Sequence, residues 1–422
     1  MNHSKSLPGP DDIYREVLSN GITVLSRANF NSPSVVIGGF FEAGALFDPD
    51  EKLGLAEYTV LSLMRGTKNR TFDEIYNSLE SVGAGLGFNT GVHKSGFNGR
   101  SLAEDLPLLL DLLCEALTRP VFPKAELEKL RAQLLTGLAI RAEDTSDMAS
   151  MVFDNVLFKG HPYSRPEDGF PETIKRIKRD DLVKFHRENY GPRGMVIAIV
   201  GGVKPEDAVK QVKRALGSWQ AKGQKETPVL PSLKPLKKSV SKHHRIAGKS
   251  QSDLIIGTNG PMRRDPEFMP ASVGNNILGQ FGMMGRIGDV VREKSGLAYY
   301  AYSSLSAGLG PGSWEVSAGV NPQNVKKASD LIQDELKRFV QEGVTADELA
   351  DTKANFVGRL PLSLESNGGV ANALLNIERH QLGLDYYHRY QDLVNGVTAD
   401  DVLATARKFI DPEKLVIATA GP

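Results

Sequence analysis

Apolar positions fall into short runs near the start of the chain and into helical spacing soon after. Following a disordered lead-in, Tyr14 to Leu18 and Ile22 to Arg27 flank Asn20-Gly21, the strongest short hairpin signal, and Ser34 to Phe41 predicts a third strand. From Gly54 to Arg65 the period lengthens, with Leu55, Tyr58, Leu61 and Met64 on one helical face. Thr71 and Glu74 have capping-box spacing and open a helix to Val82. A strand pair (Ala84 to Asn89, Lys94 to Arg100) and two long helices (Leu102 to Leu117, Lys124 to Glu143) follow. Beyond a Gly-His-Pro loop at Gly160 come a helix from Arg179 to Tyr190, a strand from Met195 to Val200 and a helix from Pro205 to Gly217.

The second half repeats the first. Asp181-Leu182, Pro192, Val196-Ile197-Ala198 and Gly201 have counterparts at Asp401-Val402, Pro412, Val416-Ile417-Ala418 and Gly421, an offset of 220 (401 minus 181). Glu126-Leu127 and Glu348-Leu349 each open a long helix, 222 residues apart (348 minus 126). Between the repeats, residues 221–240 hold three prolines and five lysines with no apolar period, the composition of a linker. The expected organisation is an N-terminal domain over 11–220, the linker, and a homologous C-terminal domain over 241–422. The fold class is α+β, an antiparallel-rich sheet packed against helices in each domain.

Composition narrows the function classes. The 422 residues carry 51 Lys plus Arg and 51 Asp plus Glu, so no net charge draws the chain to nucleic acid or an anionic membrane surface. The single cysteine, Cys114, lies in an apolar helix, which excludes an intrachain disulfide and points to a buried structural thiol. No apolar run reaches transmembrane length, and MNHSKSLPGPDD lacks the apolar segment of a signal peptide. Read as it stands the protein is expected to be cytoplasmic; with a signal removed upstream, the same residues suit the periplasm.

Residues 285–304, GRIGDVVREKSGLAYYAYSS, hold the candidate chemistry. Ile287, Val290 and Val291 share a helical face, Gly296 ends the helix, and Ala298 to Tyr302 begin a strand. Arg292 leaves the last helical turn and Tyr299 enters the strand, so a guanidinium and a phenol converge on one corner. Such a pair donates hydrogen bonds to a peptide carbonyl, or to the oxyanion it becomes during hydrolysis. Alternatively, Arg292 complements its own helix C-terminus and Tyr299 is an ordinary strand aromatic.

The run R-E-K-x-G-L-A-Y resembles the arginine/tyrosine signature of pitrilysin/insulinase-type zinc peptidases, the group that includes the mitochondrial processing peptidase. In that family the first domain carries Gly-Leu-Ala-His-x-x-Glu-His and then a Gly-Thr turn: two histidines at i and i+4 hold zinc, and the glutamate deprotonates the metal-bound water. Here Gly54-Leu55-Ala56 and Gly66-Thr67 keep the frame, but Glu57 and Leu61 replace the two histidines and Val60 replaces the base. The third ligand, a glutamate on the later long helix, falls in Leu134-Leu135-Thr136-Gly137, with Gly137 in place of the acid. No metal is expected in this chain. The eight histidines supply no recognised metal spacing: His3 is in the lead-in, His243-His244 lie beside the linker, His380 and His388 stand eight apart, and His93, His161 and His186 fall in separate elements. There is no G-x-S-x-G elbow, and the glycines from Gly279 to Gly288 do not follow a strand as a phosphate loop requires.

The resemblance implies half of a clam-shell peptidase that closes with a second family member around an unfolded peptide. Some relatives pair a zinc-bearing chain with a zinc-less one. This chain is similar to the zinc-less type, which implies a zinc-bearing paralogous partner and proteolysis only in the complex, with Arg292 and Tyr299 acting in trans. The alternative is an inert structural or assembly subunit, resembling the core proteins of the respiratory cytochrome complex.

Overall fold

Two sheets of matching strand order carry the molecule. The computed structural model describes residues 7–220, 223–280 and 285–422. The lead-in with His3, the first two linker residues Ala221 and Lys222, and Gly282 of the glycine run lie outside them.

The first sheet is built from β1 (Tyr14–Val17), β2 (Thr23–Ala28), β3 (Ser34–Phe41), β4 (Gly85–Thr90), β5 (Ser95–Leu102) and β6 (Val196–Gly201), in the order β1-β2-β6-β3-β5-β4. The second uses β7 (Val240–Arg245), β8 (Ser252–Asn259), β9 (Ala298–Leu305), β10 (Ser313–Val320) and β11 (Val416–Gly421), in the order β7-β11-β8-β10-β9. Each has one parallel pair, β2 with β6 and β7 with β11; the other neighbours run antiparallel. The second sheet is thus the first without its β1 edge, and β6 and β11 begin 220 residues apart (416 minus 196). The expected antiparallel-rich sheets and internal repeat are both present.

The helices are α1 (Leu55–Ser62), α2 (Phe72–Glu80), α3 (Leu106–Thr118), α4 (Lys124–Glu143), α5 (Thr145–Leu157), α6 (Pro171–Arg176), α7 (Arg179–Asn189) and α8 (Pro205–Leu216) in the first repeat. The second contains α9 (Phe268–Gly279), α10 (Gly285–Gly288), α11 (Val325–Glu342), α12 (Ala346–Ser363), α13 (Asn367–His380), α14 (Tyr386–Asn395) and α15 (Ala399–Phe409). Helix α2 starts on the expected capping box, Thr71 accepting from the Glu74 N–H and Glu74 accepting from the Thr71 N–H at 2.7 Å.

By contacts the chain divides into two units, and two helices change sides. One unit holds the chain through Leu138, Pro166–Val229 and Leu360–His388; the other holds Ala139–Arg165, Leu230–Arg359 and Arg389–Pro422. In the first unit α1, α3 and α8 pack on one face of the sheet, and the opposite face of β3 and β6 is covered by α13, a helix of the second repeat. Gly38 makes room for it, since a Cβ there would stand 3.1 Å from Leu375, and the Arg379 guanidinium sits 4.9 Å from the Phe40 ring centre. In the second unit α9 and α11 pack on one face, and α5, from the first repeat, covers β7, β8 and β11 on the other. Its Ala149, Phe153 and Leu157 bury against Ile255, Val416, Ala418 and Ala420. Burial on both faces explains why β6 is apolar throughout rather than alternating, and why β8 is buried along nearly its whole length although it carries Ser252, Asp253 and Thr258.

Candidate functional site

The frame from Gly54 to Thr67 opens on helix α1, most of whose residues belong to the core. Asp48, 3 % exposed, caps α1 by accepting from the Gly54 N–H at 2.9 Å and the Ala56 N–H at 2.8 Å. Gly54 itself is at φ +90, and a Cβ there would stand 2.6 Å from Ile174. Tyr58 donates its hydroxyl to the Leu127 carbonyl of α4 at 2.6 Å, and burial pushes its phenol up to about 12. Val60 is fully buried, Leu61 is half-buried, Glu57 is half-buried and engaged, and Gly137 faces open space on α4. Val60 and Leu61 are aliphatic and Gly137 has no side chain, which leaves Glu57 a single carboxylate where a zinc site needs three protein ligands, so these positions do not fit zinc. Among the described residues no group of three or more His, Cys, Asp or Glu side chains is placed to hold a metal ion. The histidines are tied into their own surroundings: the His161 Nδ1 accepts from the Tyr163 N–H, and His186 bonds the Leu117 carbonyl at 2.9 Å. Burial holds both rings below the usual histidine range.

The arginine/tyrosine corner departs from regular geometry twice. The expected continuous helix is α10 followed by a π turn over Asp289–Glu293, in which the Lys294 N–H reaches five residues back to the Asp289 carbonyl at 2.9 Å. The wider turn rotates the chain, so Ile287 and Val291 are buried while Val290, expected beside them, is only half-buried. Arg292 sits in this turn, paired loosely with Glu293 at 3.6 Å, its side chain 36 % exposed. Gly296, at φ +59, ends it as expected.

On β9, Ala298 lies opposite Val320 and Tyr300 opposite Gly319, leaving Tyr299 as the extra residue of a β-bulge. The bulge turns Tyr299 out, 86 % exposed, on a strand that is an edge of its sheet. The π turn packs directly against β9, so Arg292 and Tyr299 belong to two touching elements. π turns and bulges recur at functional sites because a regular element cannot aim a side chain off its own period.

Sequence reasoning missed the groups that brace this corner. Arg286 of α10 grips Glu348 of α12 in a two-pronged pair, Nε to Oε1 at 2.6 Å and Nη2 to Oε2 at 2.5 Å, and faces buried Glu335 at 3.8 Å. Burial disfavours ionisation of Glu348, but the Arg286 hydrogen bonds, the Thr345 N–H and the Arg286 charge together bring its carboxyl down to about 2. Burial pushes the Glu335 carboxyl above the usual range despite Arg338 beside it. Tyr300 donates to Asp253 on β8; burial and that carboxylate hold its phenol well above the ordinary range. The only local signal for any of these was the Thr345-x-x-Glu348 capping spacing, which resembles that of α2.

A duplicated sheet-and-helix repeat, a helical frame in which Glu57, Val60, Leu61 and Gly137 do not fit zinc, and a separate arginine/tyrosine corner together point to a metallopeptidase fold. The chain belongs to peptidase family M16, the insulinase family: residues 23–166 match Insulinase (Peptidase family M16) and residues 176–356 match the Peptidase M16 inactive domain. It is 27 % identical over 413 residues to an uncharacterized zinc protease of Streptomyces coelicolor, covering 95 % of this chain and 88 % of that one. Mouse cytochrome b-c1 complex subunit 1 is 25 % identical over 282 residues, covering 66 % of this chain and 58 % of that one. Among solved structures, the peptidase M16 inactive domain from Pseudomonas fluorescens superposes with a TM-score of 0.89 at 26 % identity, over 97 % of this chain and 98 % of that one. A protease from Helicobacter pylori shares the fold, with a TM-score of 0.91 at 18 % identity, over 99 % of this chain and all of that one. No helix among the described residues is long and apolar enough to cross a membrane.

Proposed function

We propose that this chain is the metal-free subunit of a heterodimeric endopeptidase. Its partner is a zinc-bearing paralogue, and Arg292 and Tyr299 donate hydrogen bonds to the carbonyl of an unfolded peptide, and to the oxyanion that forms from it, at the partner's zinc site. One observation carries the reading. Two solvent-reaching donors stand on consecutive backbone irregularities, in a chain whose own metal positions are Glu57, Val60, Leu61 and Gly137. A π turn and a β-bulge each aim a side chain off the regular period of its element, and a donor pair aimed at solvent serves a ligand rather than the core.

The similarity to a cytochrome b-c1 complex subunit favours a second reading, an inert assembly subunit. Kinetics on the pair reconstituted with a family member carrying an intact H-x-x-E-H motif separates them. Under the first reading, Arg292→Ala or Tyr299→Phe leaves the complex assembled and lowers turnover by about 10²–10³. A donor that mainly holds the ground-state carbonyl raises KM instead. Wild-type turnover and KM in both variants, with the complex intact, would leave only the assembly role.

A further inference from the structure

The chain offers two adjacent phenols, Tyr299 and Tyr300, at a bulge that can leave only one of them facing out. Tyr300, Gly319 and Asp253 stand opposite one another on β9, β10 and β8, a straight row across three strands. The phenol of Tyr300 crosses the middle strand and donates to Asp253. Neighbouring strands lie about 4.8 Å apart, so the Tyr300 and Asp253 side chains and the bond between them together bridge roughly 9.6 Å. Glycine at the middle position is what lets it pass: a Cβ on Gly319 would stand 2.6 Å from the Tyr300 ring. Tyr302 stacks on the ring from the same strand, centroids 5.7 Å apart.

Asp253 is 2 % exposed and receives neutral donors, Thr145 at the start of α5 and the Gln251 amide at 3.1 Å besides Tyr300. A buried carboxylate held this way demands its full set of donors, because each one lost leaves charge unpaired in a poorly solvated place. Tyr300 is therefore committed to Asp253. The residue before it, which has no partner on β10, is left to point at solvent.

We infer that Tyr300 is a positioning residue for Tyr299, its bond to Asp253 across Gly319 fixing which tyrosine occupies the bulge. This rests on the carbonyl-donor reading for its functional consequence, but not for its structural test. In Tyr300→Phe the ring still lies over Gly319, but Asp253 loses its phenol donor and keeps Thr145 and Gln251, so no side-chain bond ties β9 to Asp253 across the row.

The test uses the full chain. Hydrogen exchange is followed across residues 298–301, and nitration of Tyr299 by tetranitromethane is followed by mass spectrometry. In Tyr300→Phe, exchange there rises roughly tenfold as a bond to a charged acceptor is lost, or the nitration rate of Tyr299 changes as its side chain is no longer held in one position; either supports the inference. Gly319→Ala, which displaces the ring without touching the hydroxyl, gives the same result. Asp253→Asn, whose amide oxygen can still accept from Tyr300 but carries no charge, raises exchange by less than Tyr300→Phe does. Unchanged exchange and nitration in folded Tyr300→Phe overturn the inference. So does global unfolding of both Tyr300→Phe and Gly319→Ala, which would make the row a determinant of the whole fold rather than of one side chain. In the reconstituted pair, a fall in kcat matching that of Tyr299→Phe extends the role to catalysis. A perturbed β9 with wild-type kcat and KM keeps the positioning role and removes the carbonyl-donor reading instead.

Discussion

Glu348→Gln isolates the energy of the brace beneath the corner. The substitution keeps a side chain able to close the capping box with Thr345 but removes the charge that Arg286 grips. In the wild-type protein the Glu348 carboxyl lies at about 2 against an ordinary 4.5, a gap worth about 3 kcal/mol at roughly 1.36 kcal/mol per pH unit. Glu348 is 30 % exposed and Arg286 13 %, so solvent screening brings the expected contribution to about 2 kcal/mol. The sign follows from a depressed carboxylate. Its stabilisation is fully present above about 4.5 and is lost as pH falls toward 2, so the wild-type advantage over Glu348→Gln drops below about 1 kcal/mol at pH 3. Glu335, shifted upward, acts with the opposite sign and above 4.5, and is common to both proteins. Trp314 is buried in the core cluster of the same unit, and the chain has only two tryptophans. Urea unfolding in a Trp219→Phe background therefore reports this unit alone. An equal deficit at pH 7 and pH 3 would refute the ion-pair account and assign the loss to the cap or to packing.

Dialysed protein analysed for metals is expected to hold no stoichiometric zinc; retained zinc with chelator-sensitive peptidase activity in the isolated chain would contradict the metal-free assignment. Sedimentation of the chain mixed with a zinc-bearing paralogue should show one complex, whereas two unmixed species at micromolar concentration would count against a heterodimer. The double variant Arg292→Ala/Tyr299→Phe should lose less than the sum of its single losses, each roughly 2.7–4 kcal/mol, because both donors serve one carbonyl. Strict additivity would place them at separate sites.

What could be read from the chain was local. Ser34 to Phe41 is a strand as expected, the Asn20-Gly21 turn carries Gly21 at φ +93, and Thr71 with Glu74 caps α2 because the bonds that decide these elements lie within three or four residues. The spacing predicts ordinary helix where the π turn lies: its extra residue is accommodated by the packing of Ile287 and Val291, and nothing in G-R-I-G-D-V-V-R-E marks it. The bulge at Tyr299 depends on Gly319 and Asp253, 20 and 46 positions away (319 minus 299, 299 minus 253), so alternation alone could not find it. Arg292 and Tyr299 stood out only through the family's signature. Helices α5, α6, α9, α11, α13 and α14 are not among the expected elements, and of these α5 and α13 are the two whose place is decided by a sheet in the other repeat.

The trade of α5 for α13 makes the linker less of a boundary than its prolines suggest. A protease nick between the repeats would yield two fragments, each with a complete sheet and the wrong helix: one face of each sheet would stay bare until the other fragment supplied its cover. Neither piece is an autonomous folding unit, and the two should refold only as a mixture. The same connectivity says something about origin. A lone ancestral repeat could have covered its sheet only by lending its helix to a twin and borrowing the twin's in return. Fusing the genes of such a domain-swapped pair would give the present chain, a dimer written into one polypeptide.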